Sequence, residues 1–545
     1  MRWITVVCCT TLLPLFAYAW DGGWMDELTP AYPDSKADPA QGNLTVDVPR
    51  NSIAGAHLLL SGIAPGTPIT VSAAGKDFPV SLYRLVDVPV EENTGINSRT
   101  ELYGGGINPH VIRRAPFRIF EALEPCDGHL VAGKDTAIAL RVEVKIPASG
   151  DCGGHGFPVT VKAGEQTKIF QLNVQVHKAT VPALGKDSFG YTNWFSSGAI
   201  VKAHKVELWS EPFWTVLDNY AGMMAHGRQN TFLLHLADFY TKQADGSFKL
   251  ERERLLRYVK TFEKHGLWLI EGGHLAGRTG GKWGVKTLDF SVGGGRTDVP
   301  EAAARLDQIL KPLAEEIKAN GWESRWLQHI ADEPSAELVA AYKSLADETR
   351  KRLPAGIRLF DATMTQALDG VIDAWCPQVQ EYQANRKFFD DQLARHRNVW
   401  VYTCLTPGGK WLNRLLDQER LRPLYLCWSL EKYQLDGFLH WGGTYWSSDP
   451  FGKSVVQHYA PDPNNRLPPG DTHVWYPGAD RPWSTTRFEA HRIGLEDAEL
   501  LRKLRTQNPQ LHEQLMQDNL RAYNDYNTDV AKYRASRRQL LDAVK

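Results

Sequence analysis

The chain has 545 residues, with 62 Lys plus Arg against 63 Asp plus Glu, a formal net charge of −1 and 43% hydrophobic residues. At roughly 100–200 residues per domain, that length allows about two to four domains, each able to bury a core. The balanced charge excludes a nucleic-acid binder, which needs an excess of Lys and Arg to meet phosphates.

The first segment, residues 1–19, reads as a signal peptide. Arg2 precedes an apolar run from Ile4 to Phe16, and Ala17-Tyr18-Ala19 has the small-x-small pattern of a cleavage site. The run is shorter than the roughly 20 residues of a membrane span. Export to the periplasm or the extracellular space is therefore expected. Cleavage would remove Cys8 and Cys9 and leave Cys126, Cys152, Cys376, Cys404 and Cys427, an odd set in which Cys126 and Cys152 are a candidate disulfide. No later apolar run is long enough to span a bilayer.

Residues 20–185 read as an antiparallel β-sandwich. Leu140, Val142, Val144 and Ile146 alternate with Arg141, Glu143 and Lys145, and Phe170, Leu172, Val174 and Val176 alternate with Gln171, Asn173 and Gln175. Period two with one polar face predicts half-buried strands. Gly and Pro separate the runs, as in Gly62-Ile63-Ala64-Pro65-Gly66.

From residue 186 to 508 short apolar strands alternate with helices. Strands are predicted at Phe189–Asn193, Thr231–Leu236, Leu267–Ile270, Arg325–Ile330, Ile357–Phe360, Val371–Trp375, Val399–Thr403 and Phe438–Trp441. Helices are predicted around Leu255–Phe262, at Glu301–Asn320 and Ser335–Arg352, and near Lys387–His396 and Leu424–Gln434. Eight such units fit a (β/α)8 TIM-like barrel. An open doubly wound sheet is the rival, weakened because no Gly-x-Gly-x-x-Gly opens the first unit. Pro461–Trp483 reads as a loop, Thr485–Leu504 as a helix, and residues 509–545 as a helical tail. The 18 tryptophans follow the same division. Trp3, Trp20 and Trp24 open the chain, none lies between Met25 and Asn193, and the other fifteen fall between Trp194 and Trp483.

Barrel enzymes act at the C-terminal ends of their strands. The fourth strand ends in His329-Ile330-Ala331-Asp332-Glu333-Pro334. Neighbouring carboxylates can divide acid and electrostatic roles, because the charge of one raises the pKa of the other. The same tract also reads as a helix start with Asp332 as N-cap, and both readings are open. Glycosidases that use two carboxyls across the scissile bond hold them about 5–9.5 Å apart. Adjacent residues instead suit a split in which one carboxyl protonates the leaving oxygen and the other orients a nucleophile carried by the substrate, such as a 2-acetamido group. His329 and Trp326 on this strand, Asp361 on the fifth, Gln380 and Tyr382 after the sixth, and Trp441, Tyr445 and Trp446 after the eighth are candidate substrate contacts, offering aromatic faces and hydrogen-bonding groups to a sugar. His226 and His235 lack the spacing of a helical zinc motif, and the mature chain has neither Cys-x-x-Cys nor Gly-x-Ser-x-Gly, so no metal, cofactor or serine nucleophile is expected.

The tract His329–Pro334, the run Trp441-Gly442-Gly443-Thr444-Tyr445-Trp446, the segment Trp475-Tyr476-Pro477-Gly478, and Arg487-Phe488-Glu489 leading to Arg492-Ile493-Gly494-Leu495-Glu496-Asp497 together resemble glycoside hydrolase family 123. The resemblance implies a β-N-acetylgalactosaminidase-like enzyme using substrate-assisted, retaining catalysis on a TIM barrel behind a β-sandwich. It implies that Asp332 orients the acetamido group and that Glu333 is the general acid and then base. The C-terminal Arg-rich tract is expected to be structural. A glycan or glycoconjugate would be the partner. The alternative is a non-catalytic carbohydrate-binding or surface protein on the same fold.

Overall fold

The computed structural model describes residues 20–134, 137–457 and 465–545. The expected signal peptide and residues 461–464 of the expected loop lie outside them.

The N-terminal region forms two five-stranded sheets packed face to face, with Val48, Leu58, Leu140, Val142, Val159, Leu172 and Val174 among the fully buried residues between them. Trp20 and Trp24 join this core. Pairing is antiparallel throughout, except where Gln166–Thr180 runs parallel to Asn43–Arg50. Strand Ala137–Ile146 buries the predicted apolar set, but of its polar set only Lys145 is exposed: Arg141 is fully buried and Glu143 nearly so. The reason is that this sheet's second face lies against the barrel, where Arg141 pairs with Glu27 at 2.8 Å, Glu143 at 2.7 Å and Glu489 at 3.3 Å. Charges buried together in this way must be matched, or the desolvation cost goes unrecovered. Cys126 and Cys152 are free thiols.

All eight predicted barrel strands are present and parallel: Gly190–Asn193, Thr231–Leu234, Leu269–Gly272, Trp326–Gln328, Arg358–Ala362, Ala374–Cys376, Asn398–Thr403 and Gly437–His440. They are called the first to eighth barrel strands below. The ladder is continuous except between the first and second strands. Side chains bridge that seam. Gln229 accepts from the Asn193 amide at 3.1 Å and donates to the Thr231 carbonyl at 2.9 Å, while Asn230 accepts from the Tyr191 amide at 3.2 Å. The helix Arg252–Glu263 buries Leu255, Tyr258, Val259 and Phe262, the face read from the sequence. The (β/α)8 pattern is not regular throughout. Two helices, Ser197–His204 and Glu211–His226, follow the first strand, and only the short 3-10 turn Gln366–Leu368 separates the fifth strand from the sixth.

The helix Thr486–Gln507 carries the Arg-rich tract and joins the two regions. Glu121, on the sandwich strand Phe117–Pro125, is fully buried and pairs with Arg487 at 2.6 Å and Arg420 at 3.3 Å. Burial opposes its charge, yet the two guanidinium groups hold its carboxyl below the usual range. Helices Pro509–Asn519 and Val530–Ala543 follow. The second of them clasps both regions, with Arg534 on Asp26 at 2.8 Å and Arg537 on Asp497 at 2.8 Å. Glu121→Ala strands two buried arginines, and we expect it to cost about 3–5 kcal/mol in a denaturant titration. A loss below about 1 kcal/mol, the range of exposed pairs, would show that this junction contributes little.

Candidate active site

Beyond the fourth strand the chain turns sharply. Glu333 has φ 43°, a left-handed conformation that costs a non-glycine residue about 1–3 kcal/mol and persists only where its surroundings impose it. The next helical turn starts at Ala336 with Ser335 as N-cap, three residues past Asp332. Asp332 therefore caps no helix, and the capping reading of this tract is set aside. The carboxylate of Glu333 accepts a short hydrogen bond from the hydroxyl of Tyr402 on the seventh strand, and its carbonyl accepts from Arg278 at 2.7 Å.

Part of Asp332 reaches solvent, but protein crowds its other sides. This desolvation, reinforced by the charge of Glu333, pushes its carboxyl up to about 7, against the pull of Arg278 and His329. The pair thus holds a proton near neutrality.

Beneath the pair lies a buried ionic layer. His329 is fully buried between Asp361, 3.0 Å from Nδ1, and Glu271, 3.2 Å from Nε2. Burial disfavours the imidazolium, yet the two carboxylates outweigh it and carry the ring to about 9. Asp361 also accepts from the Ile330 amide at 3.0 Å and from the Tyr342 hydroxyl. Glu271 accepts from the Trp194 indole at 2.6 Å. His274 lies with its ring 4.5 Å from that of His329, and burial together with that neighbouring charge keeps it neutral. His274, His329 and Asp361 bring ligand atoms together as a metal site would. However, both nitrogens of His329 already face carboxylates, which does not suit a ligand.

The candidate residues separate by position. Asp332 and Glu333 come together at the mouth. His329 and Asp361 lie directly below, but both are fully buried and act behind the pair rather than on substrate. Trp326 and Tyr382 are in the outer core. Trp326 points away from the barrel axis, stacks on Trp322 with centroids 6.2 Å apart and donates to Gln328 at 3.1 Å. Tyr382 packs among Phe389, Tyr433 and Tyr523. Neither can touch a sugar in the mouth. Gln380 is half-buried and donates to Gln378. Trp441 and Tyr445 lie side by side with rings 5.4 Å apart, Trp441 donating to Asp471 at 3.0 Å. Trp446 turns down, its indole donating to the Trp475 carbonyl at 2.8 Å.

Trp194, Glu271, His274, Arg278, Tyr402 and Asp471 were missed by sequence reasoning. Three of them carry the same strand-end signal: Trp194 directly follows the first strand, Glu271 lies near the end of the third and Tyr402 near the end of the seventh. Asp471 lies in the predicted loop, which gave no signal. It is fully buried, and burial raises its carboxyl to about 7 despite the Trp441 hydrogen bond.

Comparison with known proteins places the catalytic region in a family. The model of the glycoside hydrolase 123 catalytic domain matches residues 194–504, more than half of the chain. A family 123 glycoside hydrolase from Clostridium perfringens, studied for glycolipid glycan hydrolysis, has a similar fold, with TM-score 0.69, 12% identity and 96% of each chain covered. A GH10 xylanase with a bacterial Ig-like domain, from termite gut, matches at TM-score 0.31 and 12% identity, over 66% of this chain and 90% of its own. A GH20 exo-β-N-acetylglucosaminidase from Vibrio harveyi matches at TM-score 0.22 and 10% identity, over 70% and 81% respectively. No curated protein matches the sequence.

Proposed function

Because the chain belongs to glycoside hydrolase family 123, we propose that it is an exported enzyme that releases terminal β-linked N-acetylgalactosamine from glycans by substrate-assisted, retaining catalysis. The observation that carries this reading is the adjacent Asp332–Glu333 pair at the mouth of the barrel. In the first step the acetamido oxygen of the substrate attacks C1 while Glu333 gives its proton to the glycosidic oxygen. The C1–O bond breaks and an oxazolinium forms. Asp332 accepts the acetamido N–H and balances the new positive charge. Glu333 then takes a proton from water, which opens the intermediate at C1 with the configuration retained.

The other acidic groups around the mouth support this division. Glu271, Asp361 and Asp471 are all fully buried. None of them is offered to a sugar as a separate enzyme nucleophile, so the substrate's own amide is the natural one. Tyr402 holds one oxygen of Glu333, which fixes the direction of proton delivery.

Chromogenic β-N-acetylgalactosaminide and β-N-acetylglucosaminide assayed side by side test the activity and the sugar. Faster turnover of the galactosaminide is expected. Glycan binding with no turnover of either would favour the non-catalytic alternative. A thiazoline that mimics the oxazoline is expected to inhibit competitively and to bind at least about 10²-fold more tightly than substrate, as intermediate-like compounds do. An active enzyme that ignores the thiazoline would exclude substrate assistance.

A further inference from the structure

We infer that Trp283 and Arg278 form a binding site for the sugar on the leaving-group side of the scissile bond, a pyranose ring stacked on the outer face of Trp283. This rests on the hydrolase reading above and extends it to the second sugar of the substrate.

The site is a hairpin inserted after the third barrel strand. Its strands, Ala276–Arg278 and Leu288–Phe290, pair antiparallel. The hairpin is bonded directly to the catalytic tract: the Leu275 amide donates to the His329 carbonyl at 3.3 Å and the Ala276 amide to the Ile330 carbonyl at 3.0 Å. Its tip, Thr279-Gly280-Gly281-Lys282-Trp283-Gly284, turns through Gly280, Gly281 and Gly284, all with positive φ. Trp283 is 67% exposed, whereas every other tryptophan among the described residues is buried or half-buried. The exposed indole offers a ligand one of the largest apolar surfaces that a side chain can present.

Trp283 is also held in place. The Arg278 guanidinium lies 3.6 Å from the centre of its ring, while the same guanidinium donates to the Glu333 carbonyl at 2.7 Å. One flat cation therefore separates the indole from the backbone of the proposed acid. Arg278 has no carboxylate partner among the described residues, and its Nε is buried without a hydrogen-bond acceptor. An exposed aromatic face held beside the catalytic tract is the pattern expected for a sugar, whose apolar C–H face stacks on it.

The test uses the full chain and two substrates: N-acetylgalactosamine β-linked to galactose, and N-acetylgalactosaminyl fluoride, which has no second sugar. The ratio of kcat/KM for the disaccharide to that for the fluoride is expected to fall about tenfold in Trp283→Ala, the worth of one stacking contact. Trp283→Tyr, which keeps an aromatic face, should restore most of it. Dividing by the fluoride removes any general damage to the catalytic pair. An unchanged ratio in an active enzyme would overturn the subsite and leave the hydrolase reading intact. A wild type that hydrolyses neither compound would overturn the hydrolase reading and the subsite with it.

Discussion

Glu333→Gln is expected to lower kcat/KM by about 10²–10⁴-fold on a glycoside whose leaving oxygen must be protonated, the range of a positioned general acid. The substitution is nearly isosteric, and the amide oxygen still accepts from Tyr402, so the folded structure should survive. An unchanged melting temperature would confirm this. The discriminating measurement is kcat/KM on N-acetylgalactosaminyl fluoride, which reads the first bond-breaking step on a leaving group that needs no proton. The loss there should be much smaller. An equal loss on both substrates would mean that Glu333 positions the site rather than delivering a proton, and full activity on both would remove it from the mechanism. Tyr402→Phe probes the same geometry from the other side, since it frees the Glu333 oxygen that Tyr402 now holds.

The barrel was legible because its strands are short apolar runs separated by helices, a pattern that survives without any tertiary information. Which strand residues face inward was not. In a parallel strand buried on both faces, both sets of alternate residues are apolar, so composition does not distinguish inside from outside. On the fourth strand Leu327 belongs to the barrel interior while Trp326 and Gln328 share the outer side, where the indole bonds to the amide. The same parity carries His329 inward, toward Asp361 and Glu271. The sequence placed His329 and Trp326 together at one strand end, and the pleat sends them to opposite sides. Tyr382 failed for another reason. It lies within the helix Val379–Ala384 and faces Phe389 and Tyr433 in the outer layer rather than the mouth. The sandwich shows the reverse error, where the polar residues Arg141 and Glu143 looked solvent-facing. Arg141 meets Glu489 of the helix Thr486–Gln507 and Glu143 meets Arg141, a match that alternation within one strand cannot reveal. Arg278 and Trp283 sit on a glycine-rich hairpin for which the sequence made no prediction, and they acquire meaning from the contact with Glu333.

Asp332→Asn is expected to cost about 10²–10³-fold in kcat, the usual loss when one group aimed at developing charge is removed. KM should change little, because the carboxylate acts mainly as the oxazolinium forms. The pH profile supplies the sharper test. Burial and the charge of Glu333 lift the Asp332 carboxyl to about 7. A raised carboxyl keeps its proton until the pH passes its pKa, so the pair carries at least one proton below about 7 and loses its last one above it. The proposed step needs one proton on Glu333 and one negative charge on Asp332. Binding the acetamido N–H at Asp332 favours that arrangement of the shared proton. Wild-type kcat/KM should therefore fall as pH rises through about 7. In Asp332→Asn the residual activity should no longer break at about 7, since that limb belongs to the pair. His329 lies beneath, with a pKa of about 9, and stays cationic through this whole range, so the change in slope near neutrality cannot be its own. A wild-type profile flat from pH 5 to 9, a window of roughly two units either side of the expected break, would show that the pair does not share a proton in the free enzyme.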